Sequence, residues 1–386
     1  MKFKLTKRNL IIAVLFVIIV TSIVVFLLGV TKRSDNARTV VARPTMVDTK
    51  VNSSSPTNAV QGALVTNSYA GLNRAKQIIL NLRSIAAKTN DVQALCYGNA
   101  ALFAELRKLG SDAVAASLDE IADKTSPESL RIILIEMVTP MAGRRDDRVG
   151  QVLLAIITDS EDVKAVKMQA LAWIPATGNQ SAGAALLEML PKQTDVDLEF
   201  GMTRALGRFQ VAGSLPALQA ELADEKKYLT RIAAYHAVAK QGGQDALTLL
   251  QNSVAARLAT GSQESHPEEN TVSVHGILAL GEIPDASSLP VLESVAKNAA
   301  NSVSVRSTAI QTISTIGGPK ASQFLRSALQ DEQNESVLAY VARAMSLAGE
   351  QTDASACLAK AATVSDSYTK TELQKAAQEL QKKAKR

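Results

Sequence analysis

The chain has 386 residues, 46% hydrophobic, 20% charged and only 4% aromatic, a balance that excludes an intrinsically disordered polypeptide and suits helices packed through small side chains. Two cysteines exclude a disulfide-stapled scaffold. The formal charge of +5 belongs to the ends: 9 basic and 2 acidic groups in residues 1–68 and 6 and 3 in residues 365–386 leave 27 against 32 for residues 69–364, a central region that lacks the general electrostatic footprint of nucleic-acid binding.

Residues 1–9 form a basic tail with Lys2, Lys4, Lys7 and Arg8, and Leu10 to Val30 then run for 21 residues with only Thr21 and Ser22 polar. At 1.5 Å rise per residue such a helix spans roughly 30 Å, the thickness of a bilayer core. The apolar run exceeds the ~7–15 residues of a signal-peptide core, and Gly29-Val30-Thr31-Lys32-Arg33 offers no small-residue cleavage site, so an uncleaved transmembrane helix is expected at 10–30. Four basic residues precede the span and four follow closely (Lys32, Arg33, Arg38, Arg43), so charge barely orients it. A short tail before a first span and a large domain after it place the N-terminus in the cytoplasm. The rest is then expected outside, at a cell inner membrane with the large domain periplasmic or otherwise extracytoplasmic.

Residues 31–68, rich in Ser, Thr, Asn and Val with no sustained period, read as a flexible linker. Leu72, Ala75, Ile78, Ile79, Leu82 and Ile85 then resume helical spacing, as a helix capping the open end of an array over residues 69–364 would.

Within that array one pattern recurs. Val305-Arg306-x-x-Ala309-Ile310-x-x-Ile313-x-x-Ile316-Gly317 is followed by a second helical segment through Phe324, Leu325 and Leu329, then Asp331, and the first pattern restarts at Val337 and ends at Gly349. Apolar residues at the first, fifth, ninth and twelfth positions share one face at a 3.6-residue period, and the glycine is expected to supply the left-handed residue that closes the helix. Leu130 to Ala142 and Val166 to Gly178 fit the same template, and weaker copies end at Gly110, Gly207, Gly242 and Gly281. The eight closing positions are 29 to 39 residues apart. Ser214-Leu215-Pro216 and Ser288-Leu289-Pro290 each begin seven residues after a closing glycine, with Ser as the expected N-cap and Pro in the first turn. One helix pair cannot bury its own apolar stripe, so the pairs must stack.

The Val-Arg-x-x-Ala helix ending in Gly, the leucine-rich helix beside it and Asp331 six residues ahead of Val337 resemble HEAT repeats, particularly the short bacterial type found in phycobilin lyases. The resemblance covers roughly residues 90–362 and implies an all-α fold: a right-handed α-solenoid of about eight helix pairs, preceded here by the transmembrane helix. The second position is basic in Arg131, Lys167, Arg231 and Arg306, while Asn99, Val196, Asn270 and Leu338 break the ladder. Such arrays serve mostly as binding surfaces. The iron-binding enzymes among them carry repeated His-Glu dipeptides, which His236-Ala237, His266-Pro267 and His275-Gly276 do not reproduce.

Two further segments lie outside the pattern. Gly261 to Asn270, polar and acidic, reads as a surface loop inserted in one repeat, and residues 365–386 read as a solvated basic C-terminal helix or tail.

Opposite the buried stripe on the helical wheel, and so expected on the concave side of the stack, lie Glu136, Met168, Arg204, His236, His275, Gln311 and Arg343, with Thr139, Ile232, Ser314 and Ser346 beside them. His236 and His275 each stand six residues before a closing glycine and are expected as two exposed, unliganded rings on neighbouring helices. Trp173, Phe200, Phe209 and Tyr235 read as core or flanking residues, and Arg144-Arg145-x-x-Arg148 is a basic patch diluted by Asp146 and Asp147. Cys96 and Cys357, at opposite ends of the array, are too far apart to bond. With no phosphate loop, nucleophile elbow or metal constellation, the expectation is a membrane-anchored, non-enzymatic scaffold that uses no cofactor and binds a protein partner, not nucleic acid, on its concave face. The alternative is a lyase-like or chaperone-like auxiliary of an enzyme complex, which would need a cleft where aromatic and ionisable groups converge.

Overall fold

A computed structural model describes residues 59–383 except 90, 144, 145, 226, 260 and 262–265. The expected span at 10–30, the tail before it and most of the linker lie outside the described residues. Among the described residues no helix is long and apolar enough to cross a membrane.

Those residues form nineteen α-helices and no strand. Three come first: α1 (Ala59–Ala86), α2 (Val92–Gly98) and α3 (Ala100–Lys108). Eight pairs follow: α4 (Ser111–Ala122) with α5 (Glu128–Ala142), α6 (Asp147–Thr158) with α7 (Lys164–Trp173), α8 (Gln180–Met189) with α9 (Val196–Phe209), and α10 (Leu215–Ala223) with α11 (Tyr228–Gln241). Then come α12 (Gly243–Leu258) with α13 (Pro267–Glu282), α14 (Leu289–Lys297) with α15 (Val303–Ile316), α16 (Gly318–Asp331) with α17 (Glu335–Ala348), and α18 (Ala354–Ala361) with α19 (Ser367–Lys383). Each odd helix from α5 to α19 packs on the next odd one, and even helices pack on even ones on either side of a break between α8 and α10, giving two layers. The apolar core divides at the same place, one part ending at Phe209 and the other beginning at Leu218. Only the odd layer is continuous across it.

The repeat template explains the odd helices. In α15, Val305, Ala309 and Ile313 are buried, Ser302 caps the start by accepting from Val305 N (3.4 Å), and Gly317 ends it at φ 70°. The basic second position turns out to be an internal staple. Arg131 is 1% exposed; its Nε donates to Ile121 O (2.8 Å) and its two terminal nitrogens grip both oxygens of Asp162 at 2.7 Å. Arg306 repeats this geometry with Ala296 O and Glu332, and Arg231 pairs with Glu269, which Arg257 also holds. Each guanidinium thus ties its own repeat to an acid in the next one, which desolvates the charges and demands such close pairing.

Several expectations need correction. Gly207 and Gly281 lie inside α9 and α13, and Gly349 has an ordinary extended backbone, so none of them supplies a left-handed residue. Gly207 is glycine because of an approach: a Cβ there would sit 2.6 Å from Ala237 Cα of α11. In the copy at 130–142 the left-handed residue is Gly143, one position after Ala142. Ser214 and Ser288 precede their helices in helical backbone and make no cap bond, while Pro216 and Pro290 do occupy the first turn. Helix α1 starts at Ala59, inside the expected linker, because the apolar spacing that marks it becomes regular only later; its Ala75, Ile78, Ile79 and Leu82 are buried and it packs on α4, as a cap should. Helix α13 claims Pro267 to Asn270 from the expected loop, with Pro267 in its first turn. The C-terminal segment is no solvated tail: α19 buries Leu373, Ala376, Ala377 and Leu380 and completes the odd layer against α17.

At the break in the core the packing is polar. Glu199 of α9 is buried and paired with Lys227 Nζ at 2.8 Å. Burial, then a hydrogen bond to Glu199, pushes the Glu221 carboxyl on α10 up to about 8.

Candidate partner-binding face

All seven residues expected on one side of the stack fall on odd helices: Glu136 on α5, Met168 on α7, Arg204 on α9, His236 on α11, His275 on α13, Gln311 on α15 and Arg343 on α17. Glu136, Arg204, Gln311 and Arg343 are exposed, and Met168, His236 and His275 are half-buried. Thr139 does not join them; it is buried and its hydroxyl donates to Ile135 O (2.8 Å). These side chains do not form one cluster. They mark three different environments along the odd layer.

The first is a pair of grooves at the α2–α9 end. The larger, about 710 Å³, is floored by Ile133, Met137 and Met141 of α5 and bordered by Tyr97 of α2 and Trp173 of α7, with Glu136, Arg107 and Cys96 at its edges. Tyr97 is 81% exposed. The smaller, about 40 Å³, lies between α7 and α9 among Met168, Phe200, Arg204 and Arg208. The Arg204 guanidinium stands 5.7 Å from the Phe200 ring centre, and Arg208 Nη1 donates to Ala172 O at 3.1 Å. Trp173 and Phe200, read from the sequence as core or flanking residues, are half-buried, and Phe209 and Tyr235 are buried.

The second environment joins α11 to α13. His236 Nδ1 lies 2.5 Å from Glu282 Oε1, His236 Nε2 lies 2.9 Å from His275 Nδ1, and Lys240 Nζ holds the other Glu282 oxygen at 3.0 Å. The rings meet edge to face at 5.1 Å between centres. Burial opposes ionisation of Glu282, but the hydrogen bonds from His236 and Lys240 hold its carboxyl below the usual range. His275 is pushed down by burial and by the charge of His236. The expectation of two independent exposed rings is therefore corrected. Glu282, seven residues after His275 and so on its face, was the missed signal. Glu269, at the start of α13, is taken by Arg231 and Arg257. Among the described residues no three His, Cys, Asp or Glu side chains converge on one point.

At the α17–α19 end Arg343 serves the fold. Its Nε donates to Glu372 at 2.7 Å, a terminal nitrogen reaches the Tyr368 hydroxyl, and the guanidinium stacks 5.3 Å from the Tyr340 ring centre. Elsewhere, a notch of about 550 Å³ among α14 to α17 is lined by Phe324, Arg306 and Glu332, but there the two charges face each other. Arg148 is paired with Asp146 at 2.7 Å, so the described part of the basic patch is neutralised; Arg144 and Arg145 lie outside the described residues. Cys96 and Cys357 are both free thiols, the latter pushed up to about 11 by burial and by Asp353.

Comparison with known proteins bears on the fold. The chain is similar to the structure of human deoxyhypusine hydroxylase in complex with glycerol at 17% identity, over 73% of this chain and 98% of that one, with a TM-score of 0.30. It is similar also to the complex of CpcE and CpcF of phycocyanin lyase from Nostoc sp. PCC7120 at 16% identity, over 60% and 94%, with a TM-score of 0.37. No curated protein matches the chain. A family model described as HEAT repeats matches residues 264–346, a stretch that ends within α17, so this part of the array is similar to HEAT repeats.

Proposed function

We propose that the protein is a scaffold that binds a protein partner on the odd-helix face, the side expected to be concave, and acts by binding, without catalysis, cofactor or nucleic acid. The observation that carries this reading is the α2–α9 end of that face. There an 81% exposed tyrosine and two half-buried aromatic rings border grooves floored by methionines, a surface that costs free energy to leave in water and that suits an adaptable protein contact. Residues 10–30 anchor the scaffold in a cell inner membrane, N-terminus cytoplasmic and repeats outside, a reading supported by the long apolar run. Reporter fusions after residue 68 test the side, and a cytoplasmic signal sinks it. Photocrosslinking residues in place of Tyr97 and Met168 should capture one partner in native membranes, whereas the same groups at Gln219 on α10 and Gln323 on α16, in the other layer, should not. Equal capture from both layers would refute the assignment of the face.

A second reading, an auxiliary of lyase or chaperone type, is favoured by one feature: aromatic rings, a thiol and both signs of charge border the larger groove, as such a cleft requires. It predicts a small-molecule ligand of that groove.

A further inference from the structure

Among the twelve arginines whose surroundings are described, nine are bonded to a carboxylate: Arg131, Arg231 and Arg306 buried within the fold and the other six more exposed. The three that are not, Arg107, Arg204 and Arg208, all border the two grooves at the α2–α9 end. Every other described guanidinium is matched with an acid, and these three stand without one beside the exposed Tyr97 and the half-buried Trp173 and Phe200. The pairing is not prevented by distance along the chain, since the staples of the fold reach acids 26 to 38 residues away.

Arg204 and Arg208 are one turn apart on α9, on the same face as Phe200, and line the smaller groove with it and with Met168 of α7. Arg208 is exposed as a residue, yet partial desolvation of its guanidinium and the nearby charge of Arg204 both disfavour its cation, and the only acceptor it meets is the neutral Ala172 carbonyl. An incoming carboxylate would relieve both effects, and a planar guanidinium fork matches a carboxylate in two parallel hydrogen bonds. The apolar floor of Ile133, Met137 and Met141 next to it takes aliphatic or aromatic side chains.

We propose that this end of the face binds a protein segment that alternates acidic with apolar residues, Arg204 and Arg208 receiving its carboxylates and the Tyr97–Trp173 groove its apolar side chains. This rests on the reading of the odd-helix face as a partner-binding surface and adds the chemistry of the partner. A polyanion such as single-stranded nucleic acid fits less well. Glu136 stands in the same groove, and residues 69–364 carry 32 acidic against 27 basic groups, so repulsion would meet a long run of phosphates on either side.

Trp173 is the only tryptophan in the chain and borders the groove, so its fluorescence reports binding directly. The full chain is titrated with a short synthetic peptide alternating leucine and glutamate around one phenylalanine, with the same peptide carrying lysine in place of glutamate, and with a short oligothymidylate. The glutamate peptide should give a saturable change that weakens with salt, and the other two should give none. Arg204→Gln with Arg208→Gln should weaken the glutamate peptide at least tenfold, about 1.4 kcal/mol, with an unchanged melt because both residues are exposed. Should that variant fail to fold, Arg204→Lys with Arg208→Lys keeps the charge and should lose part of the affinity through the missing forks. Equal binding of the two peptides, no response to the glutamate peptide, tighter binding of the oligothymidylate, or full affinity in either variant would overturn the proposal. Partner capture from Tyr97 and Met168 that persists in the Arg204→Gln, Arg208→Gln protein would sink the chemistry and leave the face itself standing.

Discussion

Replacing Arg131 by methionine tests whether the ladder of basic residues is structural. Arg131 is 1% exposed and makes three charge-assisted or carbonyl hydrogen bonds, two of them to an Asp162 side chain that is itself only 3% exposed. Methionine fills most of the volume but leaves the Asp162 carboxylate and the Ile121 carbonyl without their donor. Removing one partner of a buried pair costs about 3–5 kcal/mol, most of it from the orphaned charge. Burial alone would raise the Asp162 pKa; the hydrogen bond from Arg131 and that from Val163 N (2.6 Å) reverse this and leave it lowered. In the wild type this carboxylate therefore stabilises the fold above the unfolded pKa of about 3.9, and the contribution is lost as pH falls through the lower folded value. In Arg131→Met the sign inverts: Asp162 should become easier to protonate, so the variant's deficit should shrink on moving from pH 7 to pH 4. Urea denaturation at both values gives the two differences. Adding Asp162→Leu should recover most of the loss, because two apolar groups of similar volume replace a desolvated pair. A loss under about 1 kcal/mol at pH 7, or a double variant no better than the single one, would mean that water reaches the pair and that the staple does not hold the repeats together.

Gly207→Ala should cost about 1–3 kcal/mol in the same assay, because the added methyl meets Ala237 Cα and forces α9 away from α11; a neutral or stabilising result would mean the helices separate freely. Arg343→Glu should lower the melting temperature, by roughly 1 kcal/mol or more of stability, since it sets a like charge against the mostly buried Glu372, whereas Glu136→Lys should leave it unchanged; equal melts would return Arg343 to the role of a free surface residue. The Glu221 carboxyl is raised to about 8, so between its unfolded pKa of about 4.5 and that value unfolding releases a proton and stability falls as pH rises. Glu221→Gln should flatten that dependence, and an unaltered pH profile would show that Glu221 and Glu199 do not share a proton.

What could be read in the sequence follows from how each kind of residue signals. Buried stripes are periodic, so Val305, Ala309 and Ile313 announced α15, and the same stripe located seven odd helices and the face opposite them. A glycine carries no such directional mark. At Gly317 it closes a helix with φ 70°, at Gly207 it admits a neighbouring backbone, and the two are alike in the sequence because both terminate the same apolar pattern. Charge behaves in the same way. Position two of the template reads only as a ladder of basic residues, and the burial of Arg131 and Arg306 does not show in it because their acids arrive from the next repeat 31 and 26 residues later, beyond the reach of any local pattern. The site was least legible for that reason. His236 and Arg343 meet carboxylates, Glu282 and Glu372, each supplied by the following odd helix, whereas Arg204 stands over the Phe200 ring. The wheel assigned all three to one surface. Only the inter-repeat packing separates the residues that the fold has already used from those it leaves without a carboxylate, and it is this difference, more than exposure, that sets the α2–α9 end apart.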